Sequence, residues 1–502
     1  MKKYFTIILT LILATSLLIS CSGNTDNNST AQSDPSSENN SKTEESSGTS
    51  DGSNEYQDDK GYYVSKVEIK DFQKREFRVL VRETTGIYSS MDFTIGSEYY
   101  DETIDEAVVK RNQIIEDRHN IVLVPIKSTQ IQTDIRAALT NQTDDYDAVM
   151  PTVPMLTTLA AENYLYDLKE LDYIDLNAPW WDPNATKAFS FMNKVYFAIG
   201  DITISNKVCS PSILFNKDMI KVENLEDPYQ LVVDKKWTYD KLYEMAKKVT
   251  KELDGETGMT GNDQWGLLAS PSNALSFYAG SGELLCVKNN DDIPELSFGK
   301  NQRAIDIASK IIDDMISSDT WVVYSESFPA PIWDTSLAAF YEGRILFRPS
   351  AFSATTKLRA YNEFNFGILP PPMWDEDQDN YYSYCGTGEV TGIAIPKSCA
   401  DPEFAAYMCE VFACEAKNYL TEAYMEVNLK IKDARDEESL PMLKIIFDNL
   451  VYDTGEVYNF GGISGLFGKI VESKNNTLTS SFQEIEDAVK SDIQKLYETY
   501  TS

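Results

Sequence analysis

A single histidine, His119, occurs in 502 residues. That scarcity excludes His-rich zinc centres, and the chain also lacks the G-x-S-x-G, H-E-x-x-H and G-x-x-x-x-G-K-[ST] motifs that mark serine hydrolases, zinc proteases and P-loop enzymes. His119 itself lies in RHNIVLV, where a helix-to-strand turn accounts for it. Basic residues are few: 45 Lys and Arg face 79 Asp and Glu, a net charge of −34. Residues 1–20 hold +2 and residues 21–60 hold −7, which leaves −29 on the remainder. So acidic a body repels nucleic acid and anionic lipid, and it fits the solubility needs of an exported protein without naming a cationic ligand. Cysteine is sparse as well. Of seven, Cys209, Cys286, Cys385, Cys399, Cys409 and Cys414 follow the first sixty residues at spacings that match no metal motif. Cys409 and Cys414, five apart in an expected helix, are poorly placed for one bridge, and pairing of the rest depends on the redox compartment. After the amino-terminal twenty residues no apolar stretch is long enough to span a membrane.

What the amino end does contain is informative. Lys2 and Lys3 precede the apolar run FTIILTLILATSLLI, which stops at Leu18-Ile19-Ser20-Cys21. This is the pattern of a secretory signal peptide, residues 1–20, and the last four residues resemble the bacterial lipobox, which implies a diacylated Cys21 as first mature residue and membrane anchor. From Ser22 to about Lys60 aliphatic residues nearly vanish, so burial cannot offset the entropy of ordering. Residues 21–70 are expected to be a disordered tether holding a folded body off the outer face of a cell membrane, in keeping with a Gram-positive surface.

The remaining roughly 440 residues exceed what one hydrophobic core usually serves, so at least two domains are expected. FRVLV (77–81) reads as a buried strand, 103–118 as a helix with Ile104, Val108, Ile114 and Ile115 inward, and NIVLVPI (120–126) as a second strand. A further helix and the strand DAVM follow. This alternation predicts a parallel α/β sheet with ligand loops beyond the strand carboxyl ends. Amphipathic helices recur around Leu242 to Leu253, Ala304 to Met315 and Phe404 to Phe412. Their methionines and aromatics are core faces that need no cofactor, and Asp401-Pro402-Glu403 reads as a capped start of the last.

Five passages in order resemble the family 1 extracellular solute-binding proteins, the group of maltose- and oligosaccharide-binding proteins: KVYFAIGDITISNKVCSPSILFNKDMI (194–220), WTYDKLYEMAKKV (237–249), LAAFYEGRILF (337–347), FGILPPP (366–372) and TGIAIPKSCADPEFAAYMCEVF from Thr391. The resemblance spans about residues 76–430. It implies a two-lobed periplasmic-binding-protein-like fold of type II, each lobe a mixed sheet flanked by helices, closing like a hinge on a ligand in the cleft. It also implies chain crossings near 200–210, 345–350 and 388–393, hence discontinuous lobes: 71–205 with 348–388, and 206–347 with 389–502. Its function would be to capture a small solute, a sugar or oligosaccharide, and hand it as a monomer to the permease subunits of an ABC importer, with no catalysis.

A sugar cleft needs polar groups for ring hydroxyls and aromatic planes for C–H faces. Loops after strands and residues at crossings supply the candidates: Glu83, Thr84, Thr85 and Tyr88; Thr152 and Pro154; Asp201; Ser270 and Asn273; Arg348; Tyr384, Thr387 and Glu389. Trp333, in SFPAPIWDTS, is the preferred stacking residue and Trp374 the second choice; Trp180-Trp181 reads better as a staple within the lobe. For each, a capped turn or a satisfied surface is the competing reading. No catalytic residue, metal or other cofactor is assigned, with one reservation. ELDGETGMTGND (252–263) resembles a degenerate calcium loop with Glu252, Asp254, Glu256 and Asp263 at positions 1, 3, 5 and 12, although Thr257 stands where the turn wants glycine; a Gly-rich turn is the alternative.

Two other functions fit the composition. An exported carbohydrate hydrolase would use paired carboxylates, which are too numerous here to nominate. A sensor or adhesin with the binding fold but no importer would differ in its partners and not in any motif.

Overall fold

A computed structural model describes residues 55–83, 92–95, 102–358, 361, 363–429 and 438–501. The signal peptide, Cys21 and most of the expected tether lie outside them, as do Thr84, Thr85 and Tyr88. No helix among the described residues is long and apolar enough to cross a membrane.

The first lobe grows from FRVLV. Strand β1 (Arg75–Arg82) pairs in parallel with β2 (Ile121–Ser128) on one side and β3 (Ala148–Met150) on the other. The helices Glu102–His119 and Ile131–Asn141 make the crossovers. Side chains of β1 alternate across the sheet as a strand requires: Phe77, Val79 and Val81 enter one core cluster while Leu80 enters another. Beyond β3 the sheet is extended by single bridges from Val149 to Ala394 and from Ala198 to Ile393.

The second lobe is a five-stranded mixed sheet. It is built from β4 (Pro211–Asn216) and β5 (Trp265–Ala269), then, after the small hairpin of β6 (Cys286–Lys288) and β7 (Pro294–Leu296), from β8 (Val322–Tyr324), β9 (Ile345–Ala351) and β10 (Phe366–Leu369). Their order is β10-β4-β9-β5-β8, with β4 antiparallel to both neighbours and β5 parallel to both of its own. Here too the period of two sorts residues, Ile213 and Phe215 to one face and Leu214 to the other. Gly343, at φ +83°, ends the helix Ile332–Tyr341 in the left-handed conformation that costs glycine least and turns the chain into β9.

Two boundaries differ from expectation. The expected crossings put residues 348–388 in the first lobe and 389–502 in the second, yet β9 and β10 pair inside the five-stranded sheet, so there is no crossing near 345–350. Conversely, Ile393, Ile395 and the helix Pro402–Ala416 pack on Phe77 and Val79 in the first lobe. The chain therefore passes between lobes at 201–210 and again between β11 (Ser383–Tyr384) and Thr391, whose backbone bridges Thr152. The carboxyl-terminal helices Leu466–Glu472 and Leu478–Thr501 return to the second lobe's core, and β12 (Leu450–Val451) pairs with β11.

The second difference concerns the tether, expected through residue 70. Residues 55–72 form a strap packed on the first lobe. The Tyr56 hydroxyl donates to Asp175 at 2.7 Å and the ring meets Trp180 edge-on. Tyr63 and Asn418 exchange two 2.8 Å hydrogen bonds, and Phe72 wedges between Phe404 and Tyr407. The cause is local composition: Tyr56, Tyr63, Val67 and Phe72 bring apolar surface that the preceding Ser- and Asn-rich stretch lacks.

Several local readings agree with the structure. Asp401 Oδ1 accepts from the Phe404 N–H at 3.1 Å and caps the helix with Pro402 in its first turn. Trp180 and Trp181 are buried in the first lobe against Gly200, where an added Cβ would meet the Trp180 carbonyl at 2.2 Å. All six described cysteines are free and buried.

Candidate functional site

The carboxyl end of β5 opens onto a cavity, as expected for ligand sites of α/β sheets, and Arg82 near the end of β1 reaches Glu389 in its wall. The cavity has a volume of about 690 Å³, within the roughly 300–1,000 Å³ usual for small-molecule sites. One wall comes from β4 and β9 (Ser212, Ile213, Arg348, Ser350), another from the turn after β5 and the helix Asn273–Gly280 that follows it (Ser270, Asn273, Phe277), and a third from the helix Ile332–Tyr341 (Trp333, Ser336). The second crossing closes it with Tyr384, Gly386, Gly388 and Glu389.

Each wall is held by its own bonding. Asn273 Oδ1 accepts from the Ser270 N–H at 2.8 Å, fixing the turn, and the Ser270 hydroxyl donates to Glu326 at 2.9 Å. Trp333 and Ser336, three apart, share one face of their helix. Trp333 is 38% exposed, unusual for an indole unless it serves a surface. Arg348 reaches across from β9: its guanidinium carbon lies 5.1 Å from the Trp333 ring centre, Nε donates to the Ser350 hydroxyl at 3.1 Å and Nη1 to the Ser336 hydroxyl at 3.3 Å. Burial lowers its pKa to about 10. Glu389 is gripped from the first lobe by Arg82, Nη1 to Oε2 at 2.5 Å. Cys209 also lines the cavity, but burial, with the negative charge of Glu389, pushes its pKa up to about 12, so the reactive thiolate is suppressed.

Of the residues nominated from sequence, Ser270, Asn273, Trp333, Arg348, Tyr384 and Glu389 line this cavity. Tyr384 does so with its hydroxyl sealed and without a hydrogen-bond partner among the described residues, so the surface it offers is not the phenol oxygen. Thr387 sits one step behind, buried, its hydroxyl donating to Glu456 at 2.9 Å. Thr152 is buried at the start of the helix Val153–Ala161 and bridged to Thr391. Glu83, just past β1, is exposed, its N–H on the Ser128 carbonyl. None of these three is among the lining residues.

Asp201 has a different setting from the one expected. It is buried at the first crossing between Lys207 at 2.8 Å, Lys417 at 2.9 Å and the Thr421 hydroxyl at 2.7 Å. Burial alone would raise its pKa, but the two ammonium groups outweigh it and hold the carboxyl at about 2. Lys417 and Thr421 reach it from a π-helical turn, Lys417–Thr421. Trp374 stacks on Tyr239 in the second lobe's core. The hydroxyls of Ser212, Ser336 and Ser350 escape sequence reasoning, because strand and helix serines facing inward carry no motif.

The 252–263 loop does not fit a calcium cage of six to eight oxygens. Glu252, Asp254 and Asp263 do place oxygens within 4.8 Å of one another, without Glu256. Those oxygens are already engaged: Asp263 accepts from the N–H groups of Leu253 and Thr260 at 2.7 and 2.6 Å, Asp254 from Glu256 N–H and the Thr260 hydroxyl, and Glu252 from Gly255 N–H. It is a turn bonded to itself.

Two α/β lobes joined by crossing segments, with a polar and aromatic cavity at the strand ends, define a two-lobed solute receptor. Residues 115–421 match the family of bacterial extracellular solute-binding proteins, and the chain belongs to that family. Among solved structures it resembles a cyclo/maltodextrin-binding protein complexed with maltotetraose (TM-score 0.57, 14% identity, 84% of this chain and 98% of that one). It also resembles the GacH receptor of Streptomyces glaucescens, studied unliganded and with acarbose (0.52, 14%, 84% and 99%), and an ABC substrate-binding protein from Listeria monocytogenes in complex with cycloalternan (0.51, 13%, 85% and 99%). At these identities the likeness establishes the fold. No curated protein matches the chain.

Proposed function

We propose that this protein captures a carbohydrate in the cavity between β4, β9 and the Tyr384–Glu389 crossing and delivers it, chemically unchanged, to the permease of an ABC importer. The observation that carries the reading is the pairing of the exposed Trp333 indole with a rim of serine hydroxyls, an amide and a guanidinium in one cavity of about 690 Å³. That combination matches what a sugar presents, an apolar C–H face and a hydroxylated edge. Ser270, Asn273, Trp333, Arg348 and Glu389 are the contacts on this reading, and Tyr384 and Thr387 shape the wall. The three solved structures named above have maltotetraose, acarbose and cycloalternan as their ligands, which supports the substrate class. The lipobox-like Leu18-Ile19-Ser20-Cys21 supports anchoring through Cys21 on the outer face of a Gram-positive membrane, with the protein acting as a monomer.

Thermal unfolding against a panel of oligosaccharides tests this. A ligand at 100 times its Kd adds about 2.7 kcal/mol to stability. A shift with at least one saccharide, recovered intact, is the expected result; no shift with any saccharide contradicts it.

A further inference from the structure

Resting on the carbohydrate reading, we infer that the solute is an acidic saccharide, one that carries a carboxylate, and that Arg348 is the residue that reads it. Arg348 is only 3% exposed yet lines the cavity. Among the described residues no carboxylate lies within ion-pair distance of it, whereas Arg75, Arg78, Arg82, Arg118, Arg136 and Arg303 each hold one. Its internal partners are neutral: the hydroxyls of Ser350 and Ser336 and the face of Trp333. Nη2 has no hydrogen-bond partner among the described residues.

A buried charge is costly unless an opposite charge and hydrogen bonds compensate it. Two hydroxyls satisfy part of the donor fork and none of the charge. A carboxylate on the solute supplies both, because the planar guanidinium matches it in a bidentate pair. The acids near the cavity are otherwise engaged: Glu389 is paired with Arg82, and Glu326 accepts from Ser270 and Ser325. A second cation stands by the same indole, Lys357 Nζ at 6.0 Å from the Trp333 ring, though it is exposed and paired with Asp334. Arg348 is thus the cation of the cavity lining that has no carboxylate partner among the described residues.

The test is isothermal titration of the purified protein with uronic-acid trisaccharides of the gluco, galacto and manno series, each beside its carboxyl-reduced neutral counterpart. At least one acidic member is expected to bind tenfold or more tightly than its neutral partner. R348Q is expected to abolish that ratio, whatever it does to saccharide affinity as a whole, a charge-assisted hydrogen-bond pair being roughly twice as strong as a neutral one. Should R348Q not fold, R348K keeps the charge, loses the planar fork, and is expected to lower the ratio of acidic to neutral affinity. Neutral saccharides binding as tightly as acidic ones, or an acidic preference that survives in R348Q, overturns the inference and leaves the carbohydrate reading standing. Binding of neither class overturns both.

Discussion

Nη1 of Arg82, at the carboxyl end of β1, lies 2.5 Å from Oε2 of Glu389, in the crossing that walls the cavity. The pair joins the three-stranded lobe to a cavity otherwise built by the five-stranded one. Its partners are partly exposed, so its contribution to stability is small, under about 1 kcal/mol. R82Q is therefore expected to leave the melting temperature nearly unchanged while weakening saccharide binding several-fold, because Glu389 loses its fixed position. Titration beside thermal unfolding separates the two effects.

Asp201 carries the opposite balance. Buried between Lys207 and Lys417, it places one negative charge between two ammonium groups that have little water around them. Removing one member of a buried network costs about 3–5 kcal/mol, since the others remain charged and unpaired. D201N is expected to lose stability on that scale in urea unfolding, with saccharide affinity of the folded fraction unchanged.

Buried carboxyls set a pH dependence. Burial lifts Glu410 and Glu456 from 4.5 to about 7, partly offset by Trp181 and Thr387 respectively, and lifts Asp453 from 3.8 to about 6 against the N–H groups of Leu285 and Gly455. A carboxyl with a raised folded pKa contributes stability that is full below its unfolded value and is lost as pH rises through the folded one. His119, pushed down to about 4 by burial and Arg118, works the other way between pH 4 and 6.5. Three acids outweigh one imidazole, since each tenfold change in proton affinity between the folded and unfolded chain is worth about 1.4 kcal/mol. The melting temperature is expected to fall from pH 5 to pH 7.5, and E410Q, which mimics the protonated acid, to flatten that fall. A curve that rises over this range contradicts the assignment.

The strap of residues 55–72 belongs to the folded body. A protein spanning 73–502 gives up the Tyr56–Trp180 and Phe72–Tyr407 contacts and the paired bonds between Tyr63 and Asn418. Relative to 55–502 it is expected to melt several degrees lower and to expose Trp180 to fluorescence quenchers.

Much of the fold was legible because burial leaves a periodic trace. FRVLV, the helix over 103–118 and the Asp401-Pro402 cap stand in the structure where apolar spacing and capping chemistry put them. Lobe membership was harder to read: β9 and β10 pair within the second sheet through backbone bonds that no side-chain pattern specifies. Among candidate contacts, position after a strand or at a crossing points to Ser270, Asn273 and Glu389, and an aromatic in a polar stretch points to Trp333. The same rule selects Asp201, whose partners Lys417 and Thr421 come from more than 200 residues away. A contact at that separation is invisible to local sequence.

Carbohydrate capture without catalysis is tested most directly by titrating the protein and W333A with the saccharide panel, followed by chromatography of the recovered sugar. The expected result is saturable binding of one saccharide class, recovery of that sugar unchanged, and an affinity loss of about tenfold, or about 1.4 kcal/mol, in W333A. Binding indifferent to W333A, or a sugar returned in pieces, would contradict it.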